Sequence, residues 1–251
     1  MPLQNRVAPD GAIFATPERG LLMGNRGGQI HNGEKRLTNR RWASRQWISC
    51  VLQYKHRHET IMAPGRYTQL FFLDEATALA AGHRPCALCR RADFDRFMGL
   101  WSQPPHPNPP HQGGKGFERW EGDHGVDHTR RPPLPRLRGR VGVGGTLRPR
   151  VADVDRVLHA ERLDESRGKR TYAARLADLP QGAMIATASG PKLYWNGALL
   201  PWMPSGYGAP VKAKPNATVE VLTPPSIVAI LAAGYVPLLH PSARSMSTAK
   251  S

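Results

Sequence analysis

The segment "EATALAAGHRPCALCRR", Glu75 to Arg91, holds two of the chain's three cysteines, Cys86 and Cys89, two residues apart. Alanine and leucine favour a helix before them. Asp74 supplies an N-cap for that helix and Gly82 a left-handed stop. The cysteines therefore fall on a turn between this helix and the next one, with both sulfurs in reach of one ion. The segment predicts a metal site.

The composition of the whole chain limits the classes of protein to which it can belong. The 251 residues are 40% hydrophobic, which suffices for one large domain or two small ones. The sequence contains no run of about 18 apolar residues, so we expect no membrane span. The first twenty residues lack the apolar region of a secretory signal. Three cysteines argue against a disulfide framework and for a reducing compartment, which predicts a cytoplasmic protein.

The cysteine segment resembles the second half of the zinc module at the N-terminus of the Ada family of DNA alkylation-repair proteins. In that module a helix ending Ala-Ala-Gly leads through Arg-Pro into Cys-x-x-Cys and a basic residue. The likeness covers about Gln69 to Arg91, with a looser match back to His31. It implies zinc, with Cys86 and Cys89 as the second pair of ligands. The whole chain resembles bacterial proteins that carry such an Ada-like module.

The first pair of ligands departs from the Ada pattern. In the Ada family this pair consists of cysteines on preceding strands, and one cysteine accepts a methyl group from a DNA phosphotriester. Here Cys50 is the only cysteine upstream of the segment. One position of the pair therefore belongs to another residue type. The resemblance implies zinc binding, and the departure argues against methyl transfer.

A structural zinc site needs four ligands, and three cysteines with one histidine form an accepted set. His31 is the first candidate for the fourth ligand, because it ends a predicted strand that could pair beside the Cys50 strand. His56 and His58, at the far end of the Cys50 strand, are the alternative. His83 lies inside the tight turn, at the aromatic position of the Ada pattern, and is not expected to bind the metal. His240 is a remote candidate.

A redox pair and unliganded thiols are the competing interpretations of the cysteines. Redox Cys-x-x-Cys motifs open a helix after a strand in a βαβ unit. The motif in this chain instead follows a helix and a proline, which favours zinc.

Residues 102–147 differ in character from their surroundings. They contain eight of the 24 prolines and nine of the 25 glycines, without helical or strand periodicity. The codons of "PPHPNPP" (Pro104 to Pro110) can be chosen so that their reverse complement translates as "GRVGVGG" (Gly139 to Gly145). We interpret the segment as a translated palindromic repeat element that forms a disordered insertion. A polyproline ligand is the alternative.

The remaining sequence predicts an α+β protein in which an Ada-like zinc module precedes a β-rich meander with flanking helices. Residues 19–101 form the module, and residues 148–244 form a small α+β domain. Asn196-Gly197 between apolar runs marks a hairpin of the meander. We expect a disordered tail at 245–251.

The net charge of +16 points to a polyanionic partner, with DNA favoured. An idle basic surface is the alternative. The candidate contacts to nucleic acid surround the zinc module, and they are Arg40, Arg41, Arg45, Arg84, Arg90 and Arg91. Trp42 and Trp47 lie among them and could stack on bases or pack in a core.

The best interpretation is a zinc-binding, nucleic-acid-binding protein with a role in DNA repair or processing. A zinc-dependent enzyme of unknown reaction is the first alternative, with a cleft between the two halves that uses His31, His159 or His240. A zinc-stabilised interaction scaffold is the second. Four protein ligands would favour nucleic-acid binding, whereas three ligands and a water would favour the enzyme.

Overall fold

The computed structural model describes residues 1–55, 60–102, 140–141 and 147–245, with only the backbone at 140–141, 147–148 and 244–245. These residues form two large β-sheets and five α-helices, so the predicted α+β class is confirmed. No helix in the described part of the chain combines the length and the apolar content needed to span a membrane.

The first sheet is built from the N-terminal half and carries Cys50. Its described strands are β1 (Gln4–Val7), β2 (Ile13–Ala15), β3 (Leu22–Arg26), β4 (Trp47–Val51), β5 (Leu70–Phe72) and β6 (Arg84–Pro85). Their order is β2-β1-β5-β3-β4-β6, with β1–β5 and β4–β6 parallel and the other pairs antiparallel. Met23 lies opposite Cys50 in the β3–β4 ladder, and Arg26 lies opposite Trp47. Two strands of this sheet precede residue 19, where the predicted module begins.

The predicted insertion lies mostly outside the described residues. Within it and at its end the structure describes Ser102 and a short antiparallel pair, β7 (Arg140–Val141) with β8 (Leu147–Arg148). The predicted tail lies outside the described residues except for Ser245. Both interpretations stay predictions.

The second sheet is the predicted meander. Its described strands are β9 (Tyr172–Arg175), β10 (Met184–Ala186), β11 (Lys192–Trp195), β12 (Ala198–Met203), β13 (Gly206–Tyr207), β14 (Val211–Lys212) and β15 (Thr218–Val221). They run in the order β13-β12-β11-β10-β15-β9, and β14 also pairs with β12. Asn196 and Gly197 join β11 to β12 with φ of 49° and 74°, the left-handed pair that a tight hairpin requires.

The helices connect the two sheets through a shared apolar core. They are α1 (Glu75–Ala80), α2 (Arg91–Trp101), α3 (Val151–Arg162), α4 (Pro225–Ala232) and α5 (Pro241–Ser245), with a 3-10 turn at Leu176–Asp178. One apolar cluster contains Leu79 and Phe97 from the N-terminal half together with Leu158 and Ile227 from the C-terminal half. The two halves therefore share a core, and burial of this cluster is a main source of stability.

Helix α1 lies between the sheets and contacts β5 of the first and β10 of the second. All six of its residues are buried. The Asp74 carboxylate accepts the Thr77 backbone N–H at 2.9 Å, as the N-cap prediction requires. Gly82 follows the helix with φ of 82°. The capping residues thus fix both ends of the helix that leads into the cysteine turn.

Candidate metal centre

The structure brings the three cysteines of the chain together. The Sγ atoms of Cys50, Cys86 and Cys89 all lie within 4.8 Å of one another. Cys86 is buried, while Cys50 and Cys89 are half-buried. The three sulfurs come from positions up to 39 residues apart in the sequence, so the fold itself assembles the group.

Strand pairing places each sulfur. Cys50 lies on β4, one residue after Ser49, whose carbonyl accepts the backbone N–H of Cys86 at 2.9 Å. This bond continues the β4–β6 ladder and brings Cys86 beside Cys50. The Cys86 carbonyl then accepts the Arg90 N–H at 3.1 Å, which closes the turn that carries Cys89. Helix α2 begins at Arg91, so Cys89 sits just before a helix N-terminus.

Hydrogen bonds concentrate negative charge on this group. The thiols of Cys50 and Cys89 donate to Cys86, and this lowers the pKa of Cys86 to about 2 against the effect of burial. The backbone N–H groups of Leu88 and Cys89 also donate to its sulfur, the former at 3.4 Å. Hydrogen bonding to Cys86 and Cys89, together with burial, raises the pKa of Cys50. The group thus holds a thiolate beside two thiols, which is an arrangement that attracts a cation.

The spacing of the sulfurs fits zinc. Zn–S bonds of about 2.3 Å in a tetrahedral site place sulfurs roughly 3.8 Å apart. The observed separations, all within 4.8 Å, are close to this spacing. Soft thiolate ligands select zinc, copper(I) or iron–sulfur clusters over hard cations such as magnesium and calcium. The cysteines can therefore supply three ligands to one metal ion.

The candidate histidines that the structure describes, His31 and His240, do not join the sulfur group. His31 is buried, with Nδ1 2.6 Å from Thr68 Oγ1 and Nε2 3.2 Å from the Ala63 carbonyl, and it does not join the three sulfurs. His240 contacts Ser242 through Nδ1. His56 and His58 lie outside the described residues. Among the residues that the structure describes, no fourth His, Cys, Asp or Glu groups with the sulfurs.

His83 is packed in an aromatic environment. Its ring is fully buried between Trp47 and Phe72, with centroid distances of 5.0 Å and 4.7 Å. Burial and the neighbouring Arg26 and Arg162 hold the pKa of His83 well below its ordinary value. The imidazole is therefore neutral at physiological pH.

The six arginines predicted to contact nucleic acid separate into two groups. Arg40, Arg41, Arg45 and Arg91 are exposed. Arg84 and Arg90 are buried and flank the cysteine turn. Arg84 pairs with Asp155 at 2.7 Å, and Arg90 pairs with Glu75 at 2.7 Å. These two guanidinium groups satisfy buried carboxylates, so they hold the turn in place and face no solvent.

Two buried charges near the turn were not predicted from the sequence. Asp155 and Arg162 lie on α3 and are 2% and 1% exposed. Arg162 donates to the carbonyls of Gly82 and Arg45 at 2.8 Å and 2.7 Å. Nothing in the sequence indicated that two charged residues share the buried face of α3.

Comparison of the chain with protein-family models, curated proteins and solved structures finds no match.

Proposed function

We propose that this chain is a zinc-binding protein in which Cys50, Cys86 and Cys89 hold the ion and an adjacent arginine-rich loop contacts nucleic acid, with DNA as the favoured partner. The observation that carries the proposal is the convergence of all three cysteines within 4.8 Å. Zinc would cross-link β4 to the turn that follows α1. The role that best fits an Ada-like module is DNA repair or processing.

The arginine loop, residues 40–45, supports the nucleic-acid part of the proposal. Arg40, Arg41 and Arg45 are exposed, and Trp42 is partly exposed among them. Cations interleaved with an aromatic ring are suited to the phosphates and bases of a single strand. The chain's net charge of +16 adds long-range attraction for any polyanion.

Coordination at the metal separates this proposal from a zinc-dependent enzyme. Within the described residues three ligands group together and a fourth does not. Structural zinc has four protein ligands, whereas catalytic zinc keeps a position for water. X-ray absorption on the purified protein therefore tests the coordination, because a histidine ligand adds multiple scattering from its imidazole ring and a water does not.

The nucleic-acid proposal is tested with two matched double variants. Arg40→Gln with Arg45→Gln removes two charges from the loop, while Lys212→Gln with Lys214→Gln removes two exposed charges from the second sheet or its flank. Fluorescence anisotropy with labelled DNA should show weaker binding for the first variant. Its log–log salt slope should fall by about 0.9 per lost duplex contact, or about 0.7 for a single strand. Equal effects of the two variants would remove the loop as the interface, and no binding by the wild type at low salt would overturn the nucleic-acid role.

A further inference from the structure

A cleft of about 230 Å³ lies between the two halves of the chain, away from the three sulfurs. We call it the cationic cleft, and its basic and aromatic walls are Arg26, Arg41, Trp47, Arg162, Arg167 and Lys169. The cleft also borders one carboxylate, Asp10, which is exposed and accepts the Ala12 backbone N–H. Five basic side chains thus face a single acidic one.

The deepest cations of the cleft lack acidic partners. Arg26 and Arg162 are 3% and 1% exposed, and Lys169 is partly buried. In the described part of the chain none of the three has a carboxylate within ion-pair distance. Their donors go instead to neutral backbone carbonyls, such as Gly11 for Arg26 at 2.7 Å and Ala80 for Lys169 at 2.5 Å. The Nε atoms of both arginines have no hydrogen-bond partner.

Trp47 brings the two guanidinium groups together. The Cζ atoms of Arg26 and Arg162 lie 4.0 Å and 3.9 Å from its ring centroid. Cation–π attraction holds each group at the ring, yet it offsets only part of the cost of burying two like charges. Burial first, and then the neighbouring cations, lower the pKa of Arg162 to about 8 and that of Lys169 to about 7. A bound anion would compensate this concentration of charge.

An aromatic side chain stands at the rim of the cleft. Trp42 is partly exposed, and its ring lies 6.2 Å from Trp47 and 5.3 Å from His159. Burial, together with Arg162 and Arg45, lowers the pKa of His159 to about 4, so this neighbour is neutral at physiological pH. An exposed indole beside a cationic pocket offers a stacking surface for a planar base.

We propose that the cationic cleft binds the phosphate group of a nucleotide, with Arg26, Arg162 and Lys169 around the phosphate and Trp42 against the base. Guanidinium groups match the geometry of phosphate oxygens. The volume is below the roughly 300–1,000 Å³ of sites that enclose drug-sized ligands, so the cleft fits a phosphate and leaves the base at the rim. A free nucleotide and the terminal phosphate of a strand share this chemistry. Only the second source rests on the proposed nucleic-acid binding.

Isothermal titration of the zinc-loaded, full-length protein tests the proposal with four probes: adenosine monophosphate, adenosine, inorganic phosphate, and a short oligonucleotide with and without a terminal phosphate. Adenosine monophosphate should bind more tightly than inorganic phosphate, and adenosine should not bind. Preference for the phosphorylated oligonucleotide over the unphosphorylated one identifies a strand end, whereas equal binding of the two oligonucleotides together with binding of adenosine monophosphate identifies a free nucleotide. Equal binding of adenosine and its monophosphate, or no binding of any phosphorylated probe, overturns the proposal. Equal binding of inorganic phosphate and adenosine monophosphate overturns the assignment to a nucleotide.

Variants connect the binding to named residues. Lys169→Met should weaken the binding of adenosine monophosphate by about tenfold, as expected for the loss of one charge-assisted contact. Trp42→Ala should reduce the affinity for adenosine monophosphate to the affinity for inorganic phosphate. Lys212→Met is the matched control and should bind like the wild type. If Lys169→Met binds like this control, the cleft is not the site. The Arg40→Gln and Arg45→Gln variant should retain the nucleotide, so failure of the nucleic-acid interface and failure of the cleft are distinguishable.

Discussion

Arg84 and Asp155 form a buried, bidentate ion pair, with Nε 2.7 Å from Oδ1 and Nη2 2.8 Å from Oδ2. The pair joins the strand that precedes Cys86 to helix α3 of the other half. Both side chains are less than 5% exposed. It therefore positions the cysteine turn against the shared core.

Removing one partner of this pair should strongly destabilise the protein. Asp155→Ala leaves the Arg84 guanidinium buried without its counter-charge, which typically costs about 3–5 kcal/mol. Urea unfolding of the zinc-loaded protein measures the loss. The double variant Arg84→Met with Asp155→Leu should lose less, because no uncompensated charge remains. A single variant as stable as the wild type would show that solvent reaches the pair.

Cys50→Ser, Cys86→Ser and Cys89→Ser should each lose zinc. Structural zinc contributes on the order of 10 kcal/mol to folding, so these variants should aggregate or unfold. Elemental analysis of protein purified under reducing conditions gives the zinc content per chain. Folded wild-type protein without metal would contradict the metal centre.

The zinc content of three histidine variants, measured by elemental analysis, tests the predicted fourth ligand. His31→Gln should retain zinc, because the His31 ring already contacts Thr68 and Ala63. Loss of zinc in His31→Gln would instead place that ring in the coordination sphere. Loss in His56→Gln or His58→Gln would support the alternative prediction.

The pH dependence of the free energy of unfolding should reveal the lowered pKa of Lys169. Its pKa of about 7 in the folded protein is below the value of about 10.4 expected for an unfolded lysine. Between these values the unfolded state binds more protons, so the free energy of unfolding rises with pH. Burial first, and then Arg162 and Arg26 against the weaker opposing Asp10, make the charged amine unfavourable, and this cost is fully present below about pH 7. Arg41 and Arg167 also face the cleft.

Urea titrations of the wild type and Lys169→Met isolate this contribution. The wild type should gain stability relative to the variant from about pH 7 to about pH 10, because only the wild type carries the titrating amine. Effects of the cysteines are common to both proteins and cancel in the difference. Parallel pH profiles would show that the amine keeps an ordinary pKa.

Gly82 and Gly234 form a matched pair for a test of close packing. Both follow a helix with positive φ, 82° and 98°, but a Cβ on Gly82 would lie 2.6 Å from Arg162 Cδ, whereas Gly234 faces open space. Gly234→Ala should cost about 1–2 kcal/mol of backbone strain. Gly82→Ala should cost more and should weaken nucleotide binding by displacing Arg162. Equal thermal shifts for the two variants would contradict the close approach.

Replacing residues 102–147 with a short Gly-Ser linker tests the predicted insertion. Trp101 and Val151, which flank it, pack on the same apolar cluster, so a short connection can join them. The cost of closing a flexible loop changes by only about 0.6 kcal/mol per doubling of its length. Zinc content should stay the same and the melting temperature should be equal or slightly higher. A large fall in melting temperature would show that the segment belongs to the fold.

Local chemistry made part of this fold predictable. Asp74 and Gly82 fix the ends of α1 by capping, and Asn196-Gly197 fixes a hairpin by its backbone preferences, so short stretches carry those signals. The spacing of Cys86 and Cys89 likewise indicated that the sulfurs would converge. Each of these predictions depends on residues a few positions apart.

Long-range pairing was not predictable in the same way. Arg84 resembles a surface cation in the sequence, because its partner Asp155 lies 71 positions away. The residue type shows that a side chain is charged but not whether it is buried. The buried Arg84 and Arg90 could therefore not be distinguished from the exposed Arg41 and Arg45. The sequence allowed a cleft between the two halves but not its cationic lining, since the walls come from both halves of the chain.

The short segment from Gly82 to Cys89 closes two sites at once. The Gly82 carbonyl holds Arg162 at the cleft, and Cys86 and Cys89 complete the sulfur group. Strand β4 likewise carries Trp47 to the cleft and Cys50 to the sulfur group. Any coupling between zinc and an anion through these shared elements must be reciprocal: whatever factor zinc applies to the affinity for the anion, the anion must apply to the affinity for zinc.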